Sequence, residues 1–118
     1  MQKVQIGQWA EELAYVYLCK QGLQPVERNY RCKVGEIDLI MLDEKILVFV
    51  EVRYRKSQRY GGSMASVNTR KQQKVLDVAS CYLQNHSWEQ QCRFDVVLVD
   101  GAMEKPQMNW IADAFRME

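Results

Sequence analysis

Several residue types and patterns are scarce in this chain, and each scarcity excludes something. There is one histidine, His86, and the four cysteines, Cys19, Cys32, Cys81 and Cys92, contain no C-x-x-C pair. Structural zinc sites draw four Cys or His ligands at close spacing, so zinc is not expected and the cysteines read as reduced thiols used mostly in packing. No apolar run reaches roughly 18 residues, which leaves no candidate membrane-spanning helix. Met1 to Ile6 lack the apolar core of a signal peptide, so a cytoplasmic location is expected. There are no repeats, low-complexity tracts or linkers, and 118 residues are too few for two independent cores, so one domain over residues 1–118 is expected.

Acidic residues are missing from one long stretch. Between Val52 and Leu76 there is no Asp or Glu, while Arg53, Arg55, Lys56, Arg59, Arg70, Lys71 and Lys74 all fall there. The formal net charge is only +1, so the basic charge is concentrated rather than abundant. A solvated basic face is the plain interpretation; a docking surface for a polyanion is the functional one, because such a surface releases counterions when it meets phosphates.

Hydrophobic periodicity supplies the elements. Ile6, Ala10, Leu13, Ala14, Tyr17 and Leu18 recur at helical spacing, which predicts a helix from about Gln5 to Lys20 with Gly22 as its stop. Glu27 to Val34 fits either a short edge strand or a loop. Glu36 to Leu42 and Ile46 to Arg53 are apolar runs separated by Asp43-Glu44-Lys45, the pattern of a β-hairpin. Ser57 to Ser66, with Gly61-Gly62, reads as a mobile loop. Asn68 or Thr69 caps a second helix from about Thr69 to Gln84, and Arg93 to Asp100 is a strand of the sheet interior. Trp110, Ile111, Ala114 and Phe115 form an apolar tail expected to dock on the sheet. The fold class is α/β, a mixed sheet flanked by helices in the order α-β-β-(β)-α-β.

Side chains alternate along a strand, so an even hairpin loop puts Asp38 and Glu51 on one face, and a four-residue loop, Asp43 to Ile46, puts them directly opposite, with Glu36 opposite Arg53. Opposed Cβ atoms lie about 5 Å apart. Two carboxylates that close repel, and one keeps its proton unless a cation intervenes. A hard divalent ion such as Mg²⁺ would satisfy the pair, as would an Arg or Lys. On the first helix, Glu11 flanks the apolar face and can reach the edge of a packed site, whereas Glu12 points to water.

The runs Gly35-Glu36-Ile37-Asp38-Leu39-Ile40 and Val48-Phe49-Val50-Glu51-Val52-Arg53 resemble the signature of the PD-(D/E)xK nucleases. From Ile6 to Phe115 the chain is similar to the bacterial YraN-like family, itself similar to archaeal Holliday junction resolvases. Gly7 and Glu11, Arg28-Asn29-Tyr30-Arg31, Arg70-Lys71-Gln72, Arg93-Phe94-Asp95-Val96-Val97 and Trp110-Ile111 carry that resemblance. It implies a restriction-endonuclease-like fold and a metal-dependent endonuclease acting on structured or branched DNA. A catalytically inactive nucleic-acid-binding domain and a protein-interaction module are the other readings. It implies Mg²⁺ or Mn²⁺ held by Asp38, Glu51, Glu11 and the carbonyl of Val52. Phosphates would dock on Arg53, Arg55, Lys56, Arg70, Lys71 and Lys74. Resolvase-like relatives act as dimers, so a homodimer is an expectation as well.

One position departs from the superfamily pattern, which has Lys where this chain has Arg53. Arginine keeps the charge but cannot accept a proton, since its pKa exceeds about 12. Its fork could bind phosphate in bidentate fashion or neutralise Glu36 across the hairpin.

Overall fold

The computed structural model describes residues 3–55 and 68–116. The loop read at Ser57 to Ser66 and the phosphate contact read at Lys56 lie outside the described residues.

Helix α1 runs Lys3–Lys20. It ends as Gly22 predicts: Gly22, at φ +102°, donates to the Cys19 carbonyl, and Leu23 donates back to the Leu18 carbonyl. These are the two bonds of a Schellman cap, and Leu18 and Leu23 are both buried beside it. The strands β1 (Gln24–Cys32), β2 (Gly35–Asp43) and β3 (Ile46–Arg55) follow, then α2 (Thr69–Asn85), β4 (Cys92–Asp100) and β5 (Gln107–Phe115). Asn68 caps α2, its side chain accepting from the Lys71 backbone N–H at 3.0 Å.

The five strands form one sheet in the order β1-β2-β3-β4-β5. Only β3 and β4 are parallel, joined through α2; the other neighbours are antiparallel. This is the mixed α/β arrangement expected, consistent with a restriction-endonuclease-like fold. Alternate residues of the central strands feed two cores. Leu47, Phe49, Phe94, Val96 and Leu98 pack with Val75, Val78, Ala79 and Tyr82 of α2. Val48, Val50, Val97 and Val99 pack with Ala10, Ala14 and Leu18 of α1. The helices therefore cover opposite faces, which is why β4 reads as nearly continuous apolar sequence. Among the described residues no helix is long and apolar enough to cross a membrane.

Two peripheral segments resolve into strands. Residues 24–32 are an edge strand in which Tyr30 is the buried position. At the start of β2, Gly35 has φ +155°, and a Cβ there would sit 3.2 Å from Val78 Cγ2, so the strand approaches α2 on a residue without a side chain. The apolar tail expected at Trp110 to Phe115 is instead the edge strand β5. Its pairing shifts between Phe94↔Phe115 and Val96↔Ile111, with Asp113 at φ +54°. That bulge breaks the two-residue alternation and hides the strand from periodicity.

Asp95 holds the bulge. It is completely buried and accepts from Arg93 Nε at 3.0 Å, Trp110 Nε1 at 2.9 Å and the Asp113 N–H at 2.9 Å. Arg93 also reaches Asp43 at 2.9 Å, tying β2 to β4. Asp95→Ala would leave the Arg93 Nε–H and two further N–H groups without their acceptor, while Asp43 still holds the guanidinium, so we expect a loss of about 3 kcal/mol in urea denaturation. A loss below about 1 kcal/mol would show that the network is not what fixes β5.

Candidate metal centre

The site grows from an interruption in the β2–β3 ladder. The hairpin closes at Asp43↔Ile46 over the two-residue turn Glu44-Lys45, with Glu44 at φ +54°. Pairing continues to Leu39↔Val50 and stops there. Asp38 is the next residue of β2 and Glu51 the next of β3, so the even register read from the sequence brings them to the same level. Beyond Leu39 the bonds change character. The Val52 N–H donates to Asp38 Oδ2 at 2.8 Å, and the Asp38 peptide group lies near enough to the Glu51 carboxylate to favour its charged form. The Asp38 carboxylate takes up a peptide group that an unbroken ladder would have paired with backbone.

The side-chain alternation breaks at the same level. Ile37 belongs to the α2 core and Leu39 to the α1 core, although they are two residues apart. On β1 the matching break falls at Asn29, at φ +53° between the pairs Arg28↔Leu39 and Tyr30↔Ile37. Asparagine tolerates this left-handed conformation better than most residues, so its place in an otherwise ordinary strand was a readable signal.

Burial sets the electrostatics. Glu51 is only 4% exposed, and its Oε2 lies 3.1 Å from Arg53 Nη2. Its Oε1 is buried without a hydrogen-bond partner, as is Arg53 Nε. Burial, and then the charge of Asp38, push the Glu51 pKa up from 4.5 to about 8, outweighing the Arg53 guanidinium and the Asp38 peptide group. An ion pair and a raised pKa look contradictory. Burial decides the direction, because one single-bonded guanidinium does not replace the water lost from a second carboxylate oxygen. Burial also raises the Asp38 pKa, against the Val52 N–H and Arg53.

Glu11 joins this field from α1. Burial first, then Asp38 and Glu36, raise its pKa to about 7, while Arg28 pulls it down. It lines a cleft of about 560 Å³ with Gly7, Gln8, Asn29, Arg31 and Glu36. Glu12 points outward, as expected, and pairs with Arg28. Among the described residues no three Asp, Glu, His or Cys side chains form a group able to hold one ion. The structure therefore joins Asp38 to Glu51 and leaves Glu11 as a neighbour in the same field. Donor chemistry fits a hard cation at the pair: two carboxylates held close, one buried oxygen without a partner, and the Val52 carbonyl beside them.

The basic residues divide. Arg53 does not neutralise Glu36, as an unbroken ladder would have allowed. Glu36 pairs instead with Arg31 at 3.0 Å on β1, and Arg53 turns to Glu51 and to the Val52 carbonyl. Arg55 is held by both oxygens of Asp100, at 2.7 and 3.0 Å. Arg70, Lys71 and Lys74 are exposed along the first turns of α2. Periodicity did not single out Arg31 and Asn29 as walls of the cleft, nor Asp100 as the partner of Arg55.

Comparison with known proteins follows the same stretch of chain. The model of an uncharacterised protein family, UPF0102, matches residues 10–99. A UPF0102 protein of Janthinobacterium sp. (strain Marseille) is 49% identical over 108 residues, covering 92% of this chain and 85% of that protein. One from Stutzerimonas stutzeri (strain A1501) is 47% identical over 111 residues, covering 92% of each.

The raised carboxyl pKa values have a signed consequence. A carboxyl that keeps its proton longer when folded contributes stability fully present below its unfolded pKa and lost as pH rises through its folded one. For Glu11 and Glu51 the loss runs from about 4.5 up through about 7 and about 8. Without divalent ions, the thermal midpoint should fall between roughly pH 5 and roughly pH 9, and Glu51→Gln should flatten much of that slope. An unchanged slope in the variant would mean that Glu51 is not the buried titrating group.

Proposed function

We propose that this chain, which belongs to the uncharacterised protein family UPF0102, is a divalent-metal-dependent endonuclease of PD-(D/E)xK type acting on structured or branched DNA. The observation that carries the proposal is the buried, unpartnered Glu51 Oε1, on a carboxyl that feels the charge of Asp38, where β2 and β3 part. Membership of the YraN-like group was expected from the sequence; the nuclease superfamily and the activity are the steps proposed.

In this mechanism Asp38, Glu51 and the Val52 carbonyl would hold the ion. Mg²⁺ or Mn²⁺ bound there would supply Lewis-acid charge to the phosphoryl oxygens and ease ionisation of the attacking water. Asp38 is oriented for this by its bond from the Val52 N–H. Glu11, with its pKa raised to about 7, changes charge in the neutral range and is suited to moving a proton at the edge of the site. Arg53 carries positive charge toward a phosphate but cannot serve as a base. Arg70, Lys71 and Lys74 offer an exposed basic surface to the nucleic-acid backbone. A homodimer would suit a two-fold junction.

A second reading, a nucleic-acid-binding domain without cleavage, is favoured by Arg53, which stands where the superfamily has Lys and pairs with Glu51. Cleavage assays on single-stranded, duplex, flap and four-way DNA with Mg²⁺ or Mn²⁺ separate the two. Wild type should cut, and Glu51→Gln and Asp38→Asn should each lose at least about a hundredfold in rate. Equal cutting by wild type and Glu51→Gln would sink the metal mechanism. Binding of four-way DNA without cutting would select the second reading, and that binding should weaken steeply with salt.

A further inference from the structure

Arg53 grips the atoms that a metal ion would use. Its Nη2 lies 3.1 Å from Glu51 Oε2, and its Nη1 donates to the Val52 carbonyl at 3.1 Å. One guanidinium thus covers two of the three groups assigned to the divalent ion, and its charge also reaches Asp38, the third. The fit is incomplete. A settled Arg–carboxylate pair is commonly a two-on-two fork, but here Glu51 Oε1 and Arg53 Nε are both buried and unpartnered. Two unsatisfied groups inside one ion pair describe a counter-ion that holds the place without filling it.

We infer that Arg53 is a resident counter-cation which closes the Glu51–Val52 ligand position in the ion-free chain and exchanges it for a phosphate when a divalent ion enters, so that metal and phosphate-bearing strand bind cooperatively. The inference rests on the metal site proposed above and adds to it an exchange of cations. Removing the guanidinium from Glu51 with nothing in its place would strand a buried carboxylate, so Arg53 leaves only when another positive charge arrives. The displaced side chain has its own unmet need. It loses a carboxylate and a carbonyl, and a phosphate accepts two parallel N–H bonds from the same planar fork. About a quarter of the Arg53 side chain, 26%, is already exposed, which gives it a way out of the pair toward a strand at the surface. Because coupling between two ligands is reciprocal, the ion should tighten the strand as much as the strand tightens the ion. Arg53 is thus a positioning residue, acting on the metal position through Glu51 and Val52.

Calorimetric titration of Mn²⁺ into the full chain without nucleic acid tests the first half. Arg53→Gln should bind Mn²⁺ about tenfold more tightly than wild type. Arg53→Lys, which keeps the charge but cannot span Glu51 and Val52 together, should fall between them. Arg31→Gln removes the same unit of charge from beside Glu36 and should change affinity less than about twofold, which separates occupancy of the ligand position from general electrostatics. Fluorescence anisotropy of a labelled deoxythymidine hexamer, with its length checked afterwards, tests the second half: Mn²⁺ should tighten its binding to wild type by a clearly larger factor than its binding to Arg53→Gln, and an equal factor in both would overturn the exchange. Equal or weaker Mn²⁺ binding by Arg53→Gln, with Glu51→Gln abolishing it, would overturn the exchange and leave the metal site standing. No Mn²⁺ binding by wild type or any variant would remove the metal site and the exchange together.

Discussion

A single hydrogen bond, from the Val52 N–H to the Asp38 carboxylate, marks where this sheet stops being only a scaffold. Up to Leu39↔Val50 the central hairpin pairs backbone with backbone; one residue further, the Asp38 carboxylate takes over a peptide group. Buried peptide groups must be satisfied, so strands can part in the interior only if side chains supply the partners. Asp38 does this for β3 by accepting from the Val52 N–H. That bond orients Asp38, and the hairpin register keeps both acids at one level, so the site follows from the way the ladder ends.

That solution concentrates negative charge. Glu11, Asp38 and Glu51 all have pKa values pushed upward, first by burial and then, for Glu11 and Glu51, by neighbouring carboxylates. Arg53 offsets part of this and leaves one oxygen of Glu51 without a partner. Contrast another buried acid of the sheet. Asp95 accepts from a guanidinium, an indole N–H and a backbone N–H, a set that makes it a structural tie between β4 and β5. Two buried acids on adjacent strands thus take different roles, and the difference lies in how completely their oxygens are satisfied.

Much of this was legible in the sequence. The register of Asp38 and Glu51 follows from strand parity and an even turn, and the α1 stop at Gly22 and the α2 cap at Asn68 from residue chemistry. Less was legible where side chains replace backbone. Parity assumes an unbroken ladder, so it paired Glu36 with Arg53, whereas Glu36 meets Arg31 on β1. The bulge at Asp113 spoiled the alternation of β5, which therefore read as an apolar tail. Charge counting placed Arg55 among phosphate contacts and could not show that Asp100, 45 residues later, grips it in a fork. Long-range polar pairs leave no period in a sequence, and that is why the acids of the site were readable while their counter-ions were not.

Anomalous diffraction from crystals soaked in Mn²⁺ tests the central claim most directly. A cation site at the parted strands predicts a peak within about 2.5 Å of Glu51 Oε1 and the Asp38 carboxylate, with the Arg53 guanidinium moved off Glu51. Anomalous density confined to surface carboxylates, with Arg53 still on Glu51 and Oε1 still without a ligand, would contradict it.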